Sequence, residues 1–216
     1  MHNDSTVGLD EAGRGPMLGP MVICGVFGDS SSLSKLGVRD SKQLTPAKRT
    51  ELSLRIREEY EWKSYVISPG EIDAAVLKGG LNDLEAVYFA RIISEMGHER
   101  AVVDCADVNE RRFAEKIGSL SSCPGVDARH RADVMFPQVS AASIVAKVER
   151  DSIIAKLQEE AGEAIGSGYP SDPVTVDFLR KHYARSGDLP PFVRRSWEPV
   201  RRLLSISKIK NLDDFR

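Results

Sequence analysis

The chain has few cysteines, few aromatic residues and no long apolar run. Its three cysteines, Cys24, Cys105 and Cys123, form an odd number without Cys-x-x-Cys spacing, which argues against a disulfide framework and against a zinc knuckle. No apolar segment is long enough to span a membrane, and the N-terminal residues 1–5 have neither the basic nor the apolar region of a secretion signal. These absences predict a soluble cytoplasmic protein that has no membrane partner.

A strong net charge is also missing. The formal charge of −2 over 216 residues argues against a protein that holds nucleic acid by bulk attraction alone. The charge is uneven, however, because residues 166–216 contain ten Lys and Arg against six Asp and Glu. This basic C-terminal part fits either a surface that binds a phosphate backbone or ordinary surface scatter, and charge alone leaves both interpretations open.

The apolar periodicity predicts strands first and alternating strands and helices later. The strand-like segments are residues 6–10, 21–27, 62–67, 101–104 and 126–133. Helices are expected after Thr45-Pro46, after a capping box at Asn82 and Glu85, and over residues 109–117 and about 140–160. This order indicates an α/β fold with a mixed sheet flanked by helices. We therefore divide the chain into a catalytic core, residues 1–165, and a helical extension with a loosely held tail, residues 166–216.

Four carboxylates lie at or just past the ends of predicted strands: Asp10, Glu11, Asp104 and Asp133. Neighbouring strand ends converge in space, and oxygen ligands without His or Cys favour Mg²⁺ or Mn²⁺ over zinc. Taken singly, Asp104 is better explained as a helix cap and Asp133 as a loop acid. Adjacent strand residues face opposite ways, so Asp10 and Glu11 share a site only if the chain turns at Glu11. Only the combination indicates a metal site, to which Glu11 contributes its carboxylate or its carbonyl.

A glycine-flanked arginine, Gly13-Arg14-Gly15, directly follows the first pair of acids. Glycines let the backbone approach a ribose closely, and an arginine can hold a phosphate through two parallel hydrogen bonds. A cation-binding pair followed by an anion-binding loop is the combination that a phosphodiester-cleaving enzyme needs. Without the acids, a tight turn with a solvated arginine would be the better interpretation.

Three separated motifs carry a resemblance to a known family. They are Gly8-Leu-Asp-Glu-Ala-Gly-Arg-Gly-Pro-Met-Leu-Gly-Pro20, Asp40-Ser-Lys-Gln-Leu-Thr45, and Ala132-Asp133 running on to Ser140-Ala-Ala-Ser-Ile-Val-Ala-Lys147. In this order they resemble ribonuclease HII, the type 2 RNase H family, over about residues 6–197. The segments 104–109 and 193–197 resemble its archaeal and eukaryotic branch more than its bacterial one.

The resemblance implies an RNase H-like fold with a mixed five-stranded sheet and a helical C-terminal extension. It implies cleavage of the RNA strand of RNA/DNA hybrids and incision at ribonucleotides embedded in duplex DNA, leaving 5′-phosphate and 3′-hydroxyl ends. It also implies two divalent cations, Mg²⁺ or Mn²⁺. The acids that match the family's catalytic metal ligands are Asp10, Glu11, Asp104 and Asp133, with Asp10 shared by both cations.

The resemblance assigns the recognition of ribose to Gly13, Arg14, Gly15 and Tyr169. For Tyr169 the alternative is an aromatic residue at the edge of the core. Further candidates for phosphate contacts are Lys42, Ser143 and Lys147, although Lys147 is equally well explained as a solvated helix lysine. The protein is expected to be a monomer.

The C-terminal tail has an aliphatic and an aromatic residue three apart, Leu212 and Phe215, as in peptides that dock on sliding clamps. The leading glutamine and the second aromatic residue of such peptides are absent, so a frayed terminus is the favoured alternative.

Three rival functions are weaker. A DNA nuclease such as a junction resolvase would share the acids but would not need a ribose-reading loop. A type 3 RNase H usually carries an added N-terminal domain, whereas the first predicted strand here begins by about Thr6. A hybrid-binding protein without activity would tolerate the loss of one acid, and all four are present.

Overall fold

The computed structural model describes residues 5–38 and 44–213, with side chains up to residue 205. Its strands are β1 (Ser5–Ala12), β2 (Met21–Asp29), β3 (Glu61–Ile67), β4 (Arg100–Asp104) and β5 (Gly125–Arg129). Its helices are α1 (Ser30–Leu36), α2 (Pro46–Glu59), α3 (Pro69–Leu77), α4 (Leu81–Met96), α5 (Glu110–Ser121), α6 (Ala132–Met135), α7 (Pro137–Ala161), α8 (Pro173–Ser186) and α9 (Glu198–Asp213).

The strands form one mixed sheet in the order β3-β2-β1-β4-β5. β1 pairs antiparallel with β2 from Ser5↔Asp29 to Ala12↔Val22, and it pairs parallel with β4, which in turn pairs parallel with β5. The predicted five-stranded mixed sheet flanked by helices is confirmed. Since β1 and β4 run parallel, their carboxyl ends lie at the same edge of the sheet.

Five consecutive buried residues, 6–10, make β1 a central strand rather than an edge strand. The close approach of α7 to this strand depends on Gly8. A Cβ atom at Gly8 would lie 2.2 Å from the carbonyl carbon of Gln138 and 2.3 Å from the nitrogen of Val139. Glycine therefore lets the first turn of α7 pack directly against the β1 backbone.

The segment predicted as a strand over residues 126–133 is wrong in its second half. β5 ends at Arg129, and Arg131 adopts a left-handed conformation with φ of 58° before α6 begins at Ala132. Asp133 therefore belongs to a helix start rather than a strand end. The turn at Arg131 reverses the local chain direction at a backbone cost of about 1 kcal/mol.

Helix starts differ from prediction where capping side chains begin a helix that the apolar periodicity does not indicate. α1 and α3 were not expected, yet Asp29 caps α1 by accepting from the Ser32 amide, and Ser68 and Glu71 form a capping box for α3. The predicted cap of α4, Asn82, is not the residue before the helix. α4 begins at Leu81 instead, and the Asn82 side chain donates to Asp107 over 3.0 Å.

Contacts divide the described residues into two units. The first takes its residues from 1–12, 22–66 and 81–151, and the second from 13–21, 67–80 and 152–216. The second unit has its own apolar core: Met17, Leu18, Ile165, Phe178, Leu179, Leu189, Val193 and Val200. The division of the chain at residue 165 stays a prediction. Within the described ranges, no helix combines the length and apolar character required to cross a membrane.

Candidate active site

Asp10 and Asp104 lie side by side at the carboxyl ends of two neighbouring parallel strands. Leu9 of β1 is in register with Val103 of β4, so the next residue of each strand is an aspartate. The strand register thus places these two acids next to each other, and their role as metal ligands stays a prediction. The parallel register alone explains this, because side chains at matching positions of paired strands lie on the same face.

Glu11 is placed differently from the expectation. The chain does not turn at this residue, because the pairing of β1 with β2 continues through Glu11↔Ile23 to Ala12↔Val22, and the first positive φ, 89°, occurs at Gly13. The Glu11 carboxylate is nevertheless close enough to raise the pKa of Asp10. Its Oε2 atom is shielded from solvent. Glu11 thus belongs electrostatically to the same cluster.

The start of α6, where Asp133 lies, is bound to Asp104 through the backbone of Ala132. The amide of Ala132 donates a 2.7 Å hydrogen bond to Oδ1 of Asp104, which ties the start of α6 to the end of β4. The residue before Ala132, Arg131, adopts the left-handed conformation. Asp133 itself is buried, with 6% of its surface exposed, and its role as a metal ligand stays a prediction.

The electrostatics of Asp10 show an acid held where its charge is disfavoured. Burial raises the pKa of Asp10 well above its usual range, and the nearby charges of Glu11 and Asp104 raise it further. A hydrogen bond with Ser143 and a 2.7 Å bond from the Glu11 amide oppose this rise. Crowded carboxylates of this kind are stabilised by a cation.

The donors suit a hard divalent cation, although they do not form a complete cage. Among residues 5–38 and 44–213, no three His, Cys, Asp or Glu side chains are arranged as a metal-binding group. The available donors are oxygens only, and Asp10 is 5% exposed. Mg²⁺ is usually held by one or two carboxylates together with water and substrate phosphates, so an incomplete carboxylate set fits it.

The second unit brings the glycine-flanked arginine and Tyr169 together. A Cβ atom on Gly15 would lie 3.7 Å from Cε1 of Tyr169, so the ring is in ordinary contact distance of this loop. Tyr169 is 38% exposed, which leaves part of its ring accessible to a ligand. Two of the predicted ribose-reading elements, distant in sequence, are therefore neighbours.

The turn that carries Tyr169 is fixed by backbone hydrogen bonds. The amide of Met17 donates to the carbonyl of Gly168 over 2.6 Å, and the Asp172 carboxylate accepts from the Ser167 amide over 2.6 Å. The latter bond is the main reason why the pKa of Asp172 is lowered. Gly168 has φ of 88°, and a Cβ atom there would lie 3.0 Å from the Leu18 carbonyl oxygen. The Tyr169 backbone therefore has little freedom.

Arg194 is the residue that sequence reasoning missed. It is fully buried, and its guanidinium donates to the carbonyl oxygens of Gly13, Arg14 and Gly19 over 2.5, 2.9 and 3.0 Å. In the sequence it is one of two adjacent arginines, and its neighbour Arg195 is half-exposed and paired with Asp188. Nothing in the local pattern distinguishes the two, because burial here depends on a loop 175 residues away.

The family model for ribonuclease HII matches residues 7–200. The chain belongs to the ribonuclease HII family. The resemblance of the sequence motifs is thereby confirmed, and the chain is a ribonuclease H, an endonuclease and hydrolase that acts on RNA/DNA hybrids. Divalent-metal dependence is general for this family.

Several known members of the ribonuclease HII family match this chain over nearly its whole length. Ribonuclease HII of Cenarchaeum symbiosum is 48% identical over 200 residues, which cover 90% of this chain and 95% of the relative. The crystal structure of ribonuclease H2 from Pyrococcus horikoshii OT3 superposes with a TM-score of 0.88 at 40% identity, covering 94% and 99% of the two chains. The RNase HII of Archaeoglobus fulgidus, solved in a complex with PCNA, has a TM-score of 0.84 at 39% identity and covers 90% and 95%. These archaeal matches support the predicted branch.

The remaining substrate-binding candidates differ in what they contact. Ser143 hydrogen-bonds with Asp10, whereas Lys147 forms a 2.5 Å ion pair with Asp151 one helical turn away in α7. Lys42 lies outside the described residues. Ser143 is therefore part of the acid cluster itself, and a phosphate contact for Ser143, Lys147 or Lys42 stays a prediction.

Proposed function

We propose that this protein hydrolyses the RNA strand of RNA/DNA hybrids and also incises duplex DNA at embedded ribonucleotides, leaving 5′-phosphate and 3′-hydroxyl ends. The observation that carries the proposal is the crowding of carboxylates around the buried Asp10, whose pKa is raised by burial, by Glu11 and by Asp104. Such crowding opposes folding unless a cation is bound there.

Asp10, Glu11, Asp104 and Asp133 would hold two divalent cations, Mg²⁺ or Mn²⁺, with Asp10 as the shared ligand. When bound, such a pair supplies a hydroxide at neutral pH and stabilises the charge on the leaving 3′-oxygen. The oxygen of one water forms the new bond to phosphorus, the bond from phosphorus to the 3′-oxygen breaks, and the 3′-oxygen gains a proton.

The protein's own groups hold the carboxylates in place. Ser143 and the Glu11 amide bond to Asp10, and the Ala132 amide bonds to Asp104. These bonds leave other carboxylate lone pairs for a cation, because each carboxylate has about four acceptor positions. Hydrolysis by this route needs no covalent nucleophile, which is consistent with a serine that bonds to an acid rather than to a histidine base.

Recognition of ribose is assigned to Gly13, Arg14, Gly15 and Tyr169. The 2′-hydroxyl is what distinguishes RNA from DNA at a given position. The contact of Gly15 with the partly exposed Tyr169 ring supports a shared role for the loop and the tyrosine. Backbone groups of the glycines would approach the ribose, and the ring would stack on the next sugar or donate to the 2′-oxygen.

The proposal is tested with three labelled duplexes: an RNA/DNA hybrid, a DNA duplex with one ribonucleotide, and the same DNA duplex with none. With Mg²⁺ or Mn²⁺ we expect cleavage of the first two only, and with a chelator we expect none. A polymerase should extend the new 3′-hydroxyl ends. Cleavage of the all-DNA duplex would favour the DNA-nuclease alternative, and cleavage of no duplex would favour a binding protein.

We also propose that the C-terminal residues 209–216 dock on a sliding clamp. The support is the spacing of Leu212 and Phe215 and the PCNA complex of the Archaeoglobus fulgidus relative. These side chains lie outside those that the structure describes. A monomeric state and a cytoplasmic location stay predictions alongside this one.

The clamp proposal predicts that a PCNA-type clamp retains the full chain in a pull-down and loses it when residues 209–216 are deleted. Replacing Leu212 and Phe215 by alanine should have the same effect, whereas replacing Asn211 and Arg216 should not. Cleavage of a short hybrid without clamp should be unchanged in every variant. Equal retention of the deleted and full-length chains would contradict the proposal.

A further inference from the structure

We infer that Arg194 is a positioning residue for the ribose-reading loop, which it holds by its backbone carbonyls. The inference rests on the proposed function of Gly13-Arg14-Gly15 and extends it to a residue that contacts neither the acid cluster nor the loop side chains in the bonds described above. The geometry that carries it is the convergence of one buried guanidinium on three carbonyl oxygens of the same segment.

The positions of the three carbonyl oxygens match the planar shape of the guanidinium. Nη2 donates to Gly13, Nη1 to Arg14 and Nε to Gly19, so the donors bridge both ends of the segment 13–19. Arginine presents its donors in a rigid planar fork, whereas lysine has one ammonium on a flexible stem. A lysine at position 194 would keep the charge but could not occupy three separate carbonyl positions.

Residues next to Arg194 also bind the segment that contains the loop. The Arg194 amide donates to the Met17 carbonyl over 2.8 Å, and Leu18 forms an isolated antiparallel bridge with Val193. The indole nitrogen of Trp197 donates to the Gly15 carbonyl over 3.1 Å, and its ring lies 4.9 Å from the Arg194 guanidinium carbon. Residues 193–197 thus bind along the segment 13–19, which contains the ribose-reading loop.

Fixing the carbonyls also fixes the amides. In a planar trans peptide the C=O and the following N–H point in opposite directions. Because Arg194 binds the carbonyls of Gly13 and Arg14, the amides of Arg14 and Gly15 face away from the guanidinium. The loop is glycine-rich and would otherwise sample many conformations. The bonds from Arg194 therefore determine which backbone donors face a phosphate or a ribose.

The adjacent arginine provides a matched control. Arg195 pairs with Asp188 over 2.8 Å and donates to the Leu189 carbonyl over 2.8 Å. Replacing Arg195 by alanine removes a whole charged side chain from the same turn, which is a larger change than Arg194→Lys. An effect that follows from charge or from local folding of residues 193–197 should therefore be at least as large in Arg195→Ala, whereas an effect through the loop should be seen only at position 194.

The test measures kcat and KM on the duplex with a single ribonucleotide for Arg194→Lys, Arg195→Ala and the wild type, each with its unfolding midpoint. We expect kcat/KM to fall about a hundredfold in Arg194→Lys and by less than about threefold in Arg195→Ala. In Trp197→Phe, which keeps an aromatic ring but loses the indole donor to the Gly15 carbonyl, kcat/KM should fall about tenfold. Trp197→Phe serves as the second variant if Arg194→Lys does not fold.

A double variant separates positioning from a folding defect. Arg14→Ala and Arg194→Lys act on one loop, so their losses should combine to less than the product of the two single losses, whereas unrelated defects would multiply. Multiplying losses, or folded Arg194→Lys and Trp197→Phe variants within about threefold of wild type, would overturn the inference. A wild type that cleaves no ribonucleotide-containing duplex would instead overturn the proposed function.

Discussion

Asp10→Asn should reduce cleavage of an RNA/DNA hybrid by about a thousandfold or more while leaving hybrid binding in place. Asparagine has nearly the same shape but one oxygen and no charge, so the shared ligand of both cations would be lost. Cleavage is measured under single-turnover conditions with Mg²⁺ or Mn²⁺, and binding is measured with a chelator present. Asp127→Asn is the matched control, because this aspartate is half-exposed and pairs with Arg129 over 3.0 Å. Near-normal cleavage by Asp10→Asn would refute the metal assignment.

The same substitution should stabilise the metal-free protein. The folded-state pKa of Asp10 is raised, chiefly by burial, so its contribution favours folding at low pH and is lost as the pH rises through that raised pKa. Metal-free wild type should therefore lose stability over this interval, and Asp10→Asn, which cannot ionise there, should lose less. At neutral pH the variant is expected to have the higher unfolding midpoint.

Metal addition should reverse this order. A cation that binds the folded state raises its stability by mass action, and it also relieves the repulsion among the carboxylates. The unfolding midpoint of the wild type should rise with Mg²⁺ or Mn²⁺ concentration, and that of Asp10→Asn should rise less. Equal midpoint shifts in the two proteins would mean that the cations bind elsewhere.

Gly8→Ala should destabilise the fold by at least about 3 kcal/mol, which lowers the unfolding midpoint by about 6–12 °C. The added methyl group would meet backbone atoms of Gln138 and Val139 at 2.2 and 2.3 Å, and no side-chain rotation can remove such a clash. α7 or β1 must move instead. Since α7 carries Ser143, which bonds with Asp10, cleavage should decrease as well.

Gly70→Ala is the control for that experiment. Gly70 lies in α3, and no heavy atom lies within 4 Å of an added Cβ. Alanine is favoured over glycine in a helix by roughly 0.5–1 kcal/mol, so this variant should be unchanged or slightly more stable. A midpoint for Gly8→Ala equal to that of Gly70→Ala would contradict the close packing of α7 on β1.

Much of the fold follows from local pattern. The apolar runs of β1, β2 and β4 and the periodic helices α2 and α4 are found close to where periodicity predicts them. The errors occur where short polar signals decide the outcome. α1 begins at a serine run capped by Asp29, and the strand predicted over residues 126–133 stops at a left-handed Arg131, a conformation that side chains other than glycine rarely adopt.

The site divides in the same way. Asp10 and Asp104 could be predicted as ligands because both follow apolar strand residues, and the parallel register places them next to each other. The role of Ser143 could not be inferred, because its bond with Asp10 requires α7 to cross β1 at Gly8. Arg194 could not be separated from Arg195 for a similar reason, since its three carbonyl partners lie at positions 13, 14 and 19.

By itself the sequence determined the family and the strand and helix content of the sheet region, and it indicated which acids are candidate ligands, since motifs and periodicity are properties of neighbouring residues. Only the tertiary structure decided which groups hold those acids and which arginine is buried against the loop. Burial, crowding of charge and backbone hydrogen bonds between distant segments arise when the chain packs. They therefore depend on contacts that no local pattern contains.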